Sequence, residues 1–149
     1  MATILLPPDF KAFLQLLNDH QVEYLLLGGY AVGYHGYPRA TGDMDIWIAM
    51  HLDNANRVVA ALHAFGFAAP DVTSTLFLEA NKIIRMGNPP LRIEVLTSAS
   101  GVDFSVCYAK RILEIIDGVE VPIIALDDLK QNKQASGRLK DLNDLANLP

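Results

Sequence analysis

Apolar residues fall into short runs along this chain, and their spacing alternates between helical and strand periods. Phe10, Phe13, Leu14 and Leu17 repeat at helical spacing behind Pro7-Pro8-Asp9, which predicts an amphipathic helix over 9–19. Residues 22–27 are short and apolar, as a buried strand is. Gly28-Gly29 breaks that run, 30–35 reads as one or two helical turns, and 36–42 as a loop around Pro38. Residues 43–49 form the next strand. Period-two alternation sets Asp43, Asp45 and Trp47 on one face and Met44, Ile46 and Ile48 on the other. Asp53 or Asn54 then caps a helix to Phe65, with Val58, Ala61, Leu62 and Phe65 inward and Gly66 as its stop.

Beyond Thr73 the pattern shortens. Strands are predicted at 74–79, 82–86 and 91–96, with Gly87-Asn88-Pro89-Pro90 as the turn before the last of them. On that last strand Arg92, Glu94 and Leu96 share a face. A polar loop at 97–101 leads to a short helix at 102–109, and Asp117-Gly118 joins strands 111–116 and 119–124 as a hairpin. Asp127 or Asp128 caps a helix over 128–135; Gly137 interrupts, and 138–147 is the final helix. This order predicts an α/β (α+β) two-layer domain with a mixed, twisted sheet and helices packed on it. The first turn carries GGYAVG rather than GxGxxG, so a doubly wound dinucleotide fold is not expected.

Composition narrows the function classes. A length of 149 residues fits one domain, with a core over about 22–124 and C-terminal helices over about 127–147. Hydrophobic residues at 51% against 19% charged exclude a disordered chain. No apolar run is long enough to span a bilayer, the first residues lack the basic region of a signal peptide, and lone Cys107 sets neither a disulfide nor a zinc pattern. A soluble cytoplasmic protein without a membrane partner is therefore expected. The formal charge of −5 argues against a stand-alone nucleic-acid wrapper, but leaves room for a nucleotide or a local basic patch. Lys130, Lys133, Arg138 and Lys140 do crowd the last twenty residues.

Chemistry concentrates between Gly28 and Ile48. Glycine at a strand-to-helix turn lets backbone approach a ligand, although Gly-Gly also makes ordinary tight turns. Asp43 and Asp45 can aim two carboxylates at one spot, where like charges call for a proton or a cation; a solvated strand edge is the plain alternative. Glu94 stands in RIEVL, an otherwise apolar strand, and an acid there needs a partner or a metal. If the two strands are neighbours, three carboxylates converge and suit two hard divalent ions for in-line attack at phosphorus. Arg92 offers Glu94 a surface ion pair instead. Tyr30, Tyr34 and Tyr37 are candidates for stacking a base or for packing, His35 for a helix-end role or a substrate contact, and Trp47 for the core or the base or acceptor pocket.

The run GG…HGxxRxTxDxDIWI, followed by one acid on a later strand, resembles the nucleotidyltransferase superfamily with the DNA polymerase β-type core. The tail, Leu129-x-x-x-Lys133 and then Gly137-Arg138-x-Lys140-Asp141-Leu142-x-Asp144-Leu145, is similar to that of small AbiEii-like nucleotidyltransferases, which are toxins or toxin partners. The resemblance spans about 22–145. It implies Asp43, Asp45 and Glu94 as metal-binding and catalytic acids, with two Mg²⁺ ions expected and Mn²⁺ as an alternative. It implies Gly28 and Gly29 at the triphosphate, Arg39 and Thr41 as the R-x-T before the first acid, Lys133 as a triphosphate contact, and Lys140 and Asp141 in the terminal motif. The implied reaction transfers an NMP from an NTP to a hydroxyl acceptor (RNA such as tRNA, a protein or a small molecule) with release of pyrophosphate. A protein partner or homo-oligomer fits a toxin–antitoxin setting. The alternative is a nucleotide-binding or antitoxin-like partner with weak or no catalysis. Gly29 departs from the serine many relatives carry there.

Overall fold

The computed structural model describes residues 4–149. Helix α1, Pro8–Asp19, starts on a proline, which needs no N–H partner in the first turn, and buries Phe10, Phe13, Leu14 and Leu17. Val22 N–H closes the helix end on Leu17 O at 2.9 Å, so strand β1 begins two residues later than its apolar run and covers Tyr24–Leu27. Helix α2, Gly28–Tyr34, starts on the first glycine of the turn. Strand β2 is Asp43–Ile48, and helix α3 is Leu52–Phe65, ended by Gly66 at φ 98°. Strands β3 and β4 are Ile83–Met86 and Arg92–Leu96. Helix α4, Phe104–Ala109, precedes the hairpin of β5, Ile112–Ile116, and β6, Val119–Ile123. Helices α5, Leu126–Ser136, and α6, Leu139–Asn147, close the chain.

The strands form one six-stranded mixed sheet in the order β3-β4-β2-β1-β6-β5. The β1–β2, β3–β4 and β5–β6 pairs are antiparallel, while β1–β6 and β2–β4 are parallel. All four residues of central β1 are buried, as its unbroken apolar sequence predicts. Phe13, Leu17, Leu25, Met44, Ile46, Ile48, Leu62 and Ile123 are essentially inaccessible to water, each contributing roughly 1.5–3 kcal/mol by burial.

Three local predictions are corrected. Residues 74–79 are not a strand: Leu76–Leu78 is a short 3-10 turn. The carbonyls of Thr73, Ser74 and Thr75 take the N–H groups of Leu76, Phe77 and Leu78 at 3.1–3.2 Å, so the segment needs no sheet partner, and Phe77 anchors it in the core. Neither Asp53 nor Asn54 caps α3. The cap is His51, whose Nδ1 accepts from Asn54 N–H at 3.3 Å. The side chain of Asn54 is fully buried and committed to Glu23 and Ala49 backbone groups. Finally, α5 begins at Leu126 without a side-chain cap, and Asp128, buried in its first turn, holds Lys110 Nζ at 2.8 Å instead.

Candidate functional site

The parallel register of β2 and β4 sets Asp45 opposite Glu94 and Asp43 opposite Arg92. The antiparallel register of β1 and β2 sets Leu27 opposite Asp45, so the chain leaving β1 turns directly above that carboxylate. Gly28 makes the turn at φ +63°, and a Cβ there would lie 1.9 Å from Asp45 Oδ2. Both the backbone conformation and the space exclude a side chain. A Cβ at Gly29 would lie 2.7 Å from Thr41 Oγ1. Thr41 thus fills the space that a serine at 29 would take, and its hydroxyl stands beside the turn. That hydroxyl also donates to Asp43 O at 3.2 Å, which ties the loop before β2 to the strand.

Burial pushes the Asp45 carboxyl up to about 7, helped by the charge of Glu94, a hydrogen bond shared with it and the charge of Asp43; Lys133 pulls the other way. Asp45 therefore keeps its proton well above the range in which an ordinary aspartate has lost it. Asp43 has a different neighbour. Arg92 Nε and Nη2 lie 3.3 and 3.5 Å from its two oxygens, and Arg92 Nη2 is also 3.8 Å from Glu94 Oε1. Arg85 on β3 reaches Glu94 Oε1 at 3.3 Å. The ion pair foreseen between Arg92 and Glu94 is thus secondary to Arg92–Asp43.

Among the described residues, no three His, Cys, Asp or Glu side chains group tightly enough to hold one metal ion. Asp45 and Glu94 still have the donor chemistry for a hard cation: two partly buried carboxylates close enough to share a proton, and oxygen donors only. Asp43, the third acid, has Arg92 lying against both of its oxygens.

Lys133 projects from α5 and is buried, with Nζ 3.1 Å from both Asp141 Oδ1 and Asp144 Oδ2 on α6. Arg39 grips Asp144 with Nε and Nη2 at 2.7 and 2.8 Å. Ser136 and Arg138 donate to Asp141 Oδ2 at 2.6 and 2.7 Å. Burial alone would raise the Asp141 carboxyl, but hydrogen bonds from Arg138, Ser136 and Lys133 outweigh it and hold the group down at about 2. In this structure the charges of Lys133 and Arg39 are already compensated.

Gly28, Gly29, Arg39, Thr41, Asp43, Asp45, Glu94, Lys133 and Lys140 all line one cleft of about 580 Å³. Its walls carry six cations (Arg39, Arg85, Arg92, Lys133, Arg138, Lys140) and four acids (Asp43, Asp45, Glu94, Asp141). The cleft is thus locally positive in a chain of net charge −5. Arg138, foreseen only as part of the basic tail, also lines it, as do Arg85, Ser98, Ser100, Asn132 and Ser136, to which sequence reasoning assigned no role. Helical spacing from Lys133 would have found Ser136, three residues on. Arg85 carried no such signal, because the β3–β4 register alone brings it to Glu94.

The aromatic candidates lie off the cleft. Tyr30 packs edge-on against Phe10, Tyr34 donates to Glu114 Oε2 at 3.0 Å, and Tyr37 accepts from Asn143. His35 caps the end of α2, with Nε2 2.7 Å from Ile124 O. Trp47 is buried edge-on against Phe104.

No family model matches the chain, and no curated protein matches it. Among solved structures, the Helicobacter pylori protein JHP933 gives a TM-score of 0.45 at 15% identity, over 92% of this chain and 61% of its own. A Thermotoga maritima protein with a provisional assignment as a nucleotidyltransferase gives a TM-score of 0.63 at 13% identity, over 95% of this chain and 93% of its own. The mixed six-stranded sheet with its helices is therefore the fold of that nucleotidyltransferase-like neighbour, along nearly the whole of both chains.

Proposed function

We propose that the protein is a metal-dependent nucleotidyltransferase that moves an NMP from an NTP to a hydroxyl acceptor. The observation that carries this reading is the Asp45–Glu94 pair, set side by side by strand register beneath the Gly28 turn in a locally positive cleft. A bound Mg²⁺ would neutralise phosphate charge and make the acceptor hydroxyl more acidic. Asp45 and Glu94 would hold it, joined by Asp43. The Gly28-Gly29 backbone and the Thr41 hydroxyl border the space for the phosphates, and Lys140, exposed and free of ion pairs among the described residues, adds positive charge. A cluster carboxylate takes the acceptor proton, the acceptor oxygen bonds to the α-phosphorus, and the α–β bridging oxygen leaves with pyrophosphate. The protein's part is positioning and charge stabilisation. The likeness of the tail to AbiEii-like proteins extends the proposal to a toxin–antitoxin or defence setting, with a tRNA end or partner protein as acceptor.

A binding-only reading draws on the compensated charges of Asp43 and Lys133. Labelled NTPs incubated with Mg²⁺ and RNA, protein and small-molecule acceptors decide between the two. Transfer that falls at least about a hundredfold in Asp45→Asn and Glu94→Gln supports the enzyme. Binding of Mg-NTP without transfer to any acceptor supports the binding module, and absence of nucleotide binding removes both.

A further inference from the structure

The guanidinium of Arg92 lies against two of the four cleft acids. It sits 3.3 and 3.5 Å from the Asp43 oxygens and 3.8 Å from Glu94 Oε1, so its charge lies between the carboxylates of two adjacent strands. The strand register enforces this placement, because Arg92 is the direct partner of Asp43 on β2 and shares a face with Glu94 two residues on. Asp43 is the third acid that a three-carboxylate site would use, and Arg92 lies against both of its oxygens.

We propose that Arg92 is a built-in competitor of the divalent ion. Its guanidinium occupies the Asp43–Glu94 side of the site in the ligand-free protein and yields that side when metal and nucleotide arrive together. This inference rests on the proposed metal site. Arg92 can move: it and Asp43 are each about one-third exposed, where solvent screening leaves an ion pair weak. A phosphate-bound cation competes well with so weak a bond, and a cation alone competes less well. The released guanidinium stays in the cleft, where its planar fork suits phosphate oxygens. Arg92 is thereby a positioning and specificity residue: it disfavours free metal and favours the metal–nucleotide complex. Arg85 lacks this role, since it touches Glu94 alone, from the sheet edge.

Isothermal titration with Mn²⁺ alone, and with Mn²⁺ plus a non-hydrolysable NTP, tests the proposal in the full chain. Arg92→Gln is expected to bind Mn²⁺ about three- to fivefold more tightly than wild type, and the NTP analogue about as many fold more weakly. These opposite signs are not expected from loss of structure. Arg85→Gln, which frees Glu94 but not Asp43, should tighten Mn²⁺ by a smaller factor than Arg92→Gln does. Asp43→Asn in the Arg92→Gln background should abolish the gain. Melting of each variant in metal-free buffer reports on folding. Should Arg92→Gln fail to fold, Arg92→Lys, which keeps the charge but loses the fork, is expected to show the same two signs at about twofold. Mn²⁺ affinity unchanged or weaker in a folded Arg92 variant, with binding still abolished by Glu94→Gln, overturns the competitor and leaves the metal site standing. Absence of Mn²⁺ binding in every variant overturns both.

Discussion

Asp45 is the residue at which fold and chemistry oppose each other. Its carboxyl is raised from an ordinary 3.8 to about 7, with burial the largest cause. Between those values the folded state keeps a proton that the unfolded chain has lost. Stability contributed at this position is therefore highest below about pH 4 and falls as pH rises through 7, the reverse of a salt-bridged aspartate. Asp45→Asn should consequently melt above wild type at pH 8, by about 2–4 °C for each kcal/mol recovered, and the difference should close toward pH 4. Scanning calorimetry across that range checks it; parallel melting curves at every pH would contradict the burial-driven shift. Gly28 is the companion test. Gly28→Ala places a Cβ 1.9 Å from Asp45 Oδ2 at a φ that alanine rarely adopts, so both stability and NTP binding should fall, the first by about 1–3 kcal/mol. Both residues were readable in the sequence, one as a strand-ending glycine and the other as the second acid of Asp-x-Asp.

Helices α5 and α6 show how much less of the site is legible at the level of elements. Their existence follows from periodicity and from Gly137, and the cations of the tail were visible as a cluster. The pairing was not. Lys133, Asp141 and Asp144 meet only because the chain reverses at Gly137, at φ +69°, and Arg39 joins them from more than a hundred residues away. The same blindness explains the false strand at 74–79: apolar spacing cannot reveal that Thr73, Ser74 and Thr75 carbonyls satisfy the segment locally. The network makes Lys133 a structural cation as well as a wall of the cleft. Lys133→Met leaves two buried carboxylates without it and is expected to cost about 3–5 kcal/mol in urea unfolding. A loss under about 1 kcal/mol would mean that Lys133 is free to serve phosphates. Asp141 adds a pH signature of opposite sign to that of Asp45. Held at about 2, it contributes stability that is present above its ordinary 3.8 and is lost as pH falls toward 2.

Across the whole molecule, the cleft joins two halves that the chain order keeps apart. One half is the β1 turn with β2 and β4; the other is the tail on α5 and α6. The alternation of each strand could be read from sequence, but the neighbourhood of β2 and β4 could not, because another helix and strand lie between them in the chain. That neighbourhood turns two distant acids into a pair. Charge organises the same region: six cations and four acids line a cleft in a chain of net charge −5. An anionic ligand that occupies the cleft contacts both halves and stabilises the folded state by mass action, about 2.7 kcal/mol at a hundred times its Kd. Mg-NTP at that excess should raise the melting temperature by roughly 5–10 °C in low salt, and less as ionic strength rises and exposed charges are screened. Arg85→Glu with Lys140→Glu reverses two exposed wall charges and turns six cations and four acids into four and six. This double variant should lose most of the shift. Lys11→Glu, on α1 and outside the cleft, makes the chain more acidic and should keep it. An equal shift in all three proteins would place the nucleotide elsewhere, because a ligand held by this cleft cannot be indifferent to the sign of its walls.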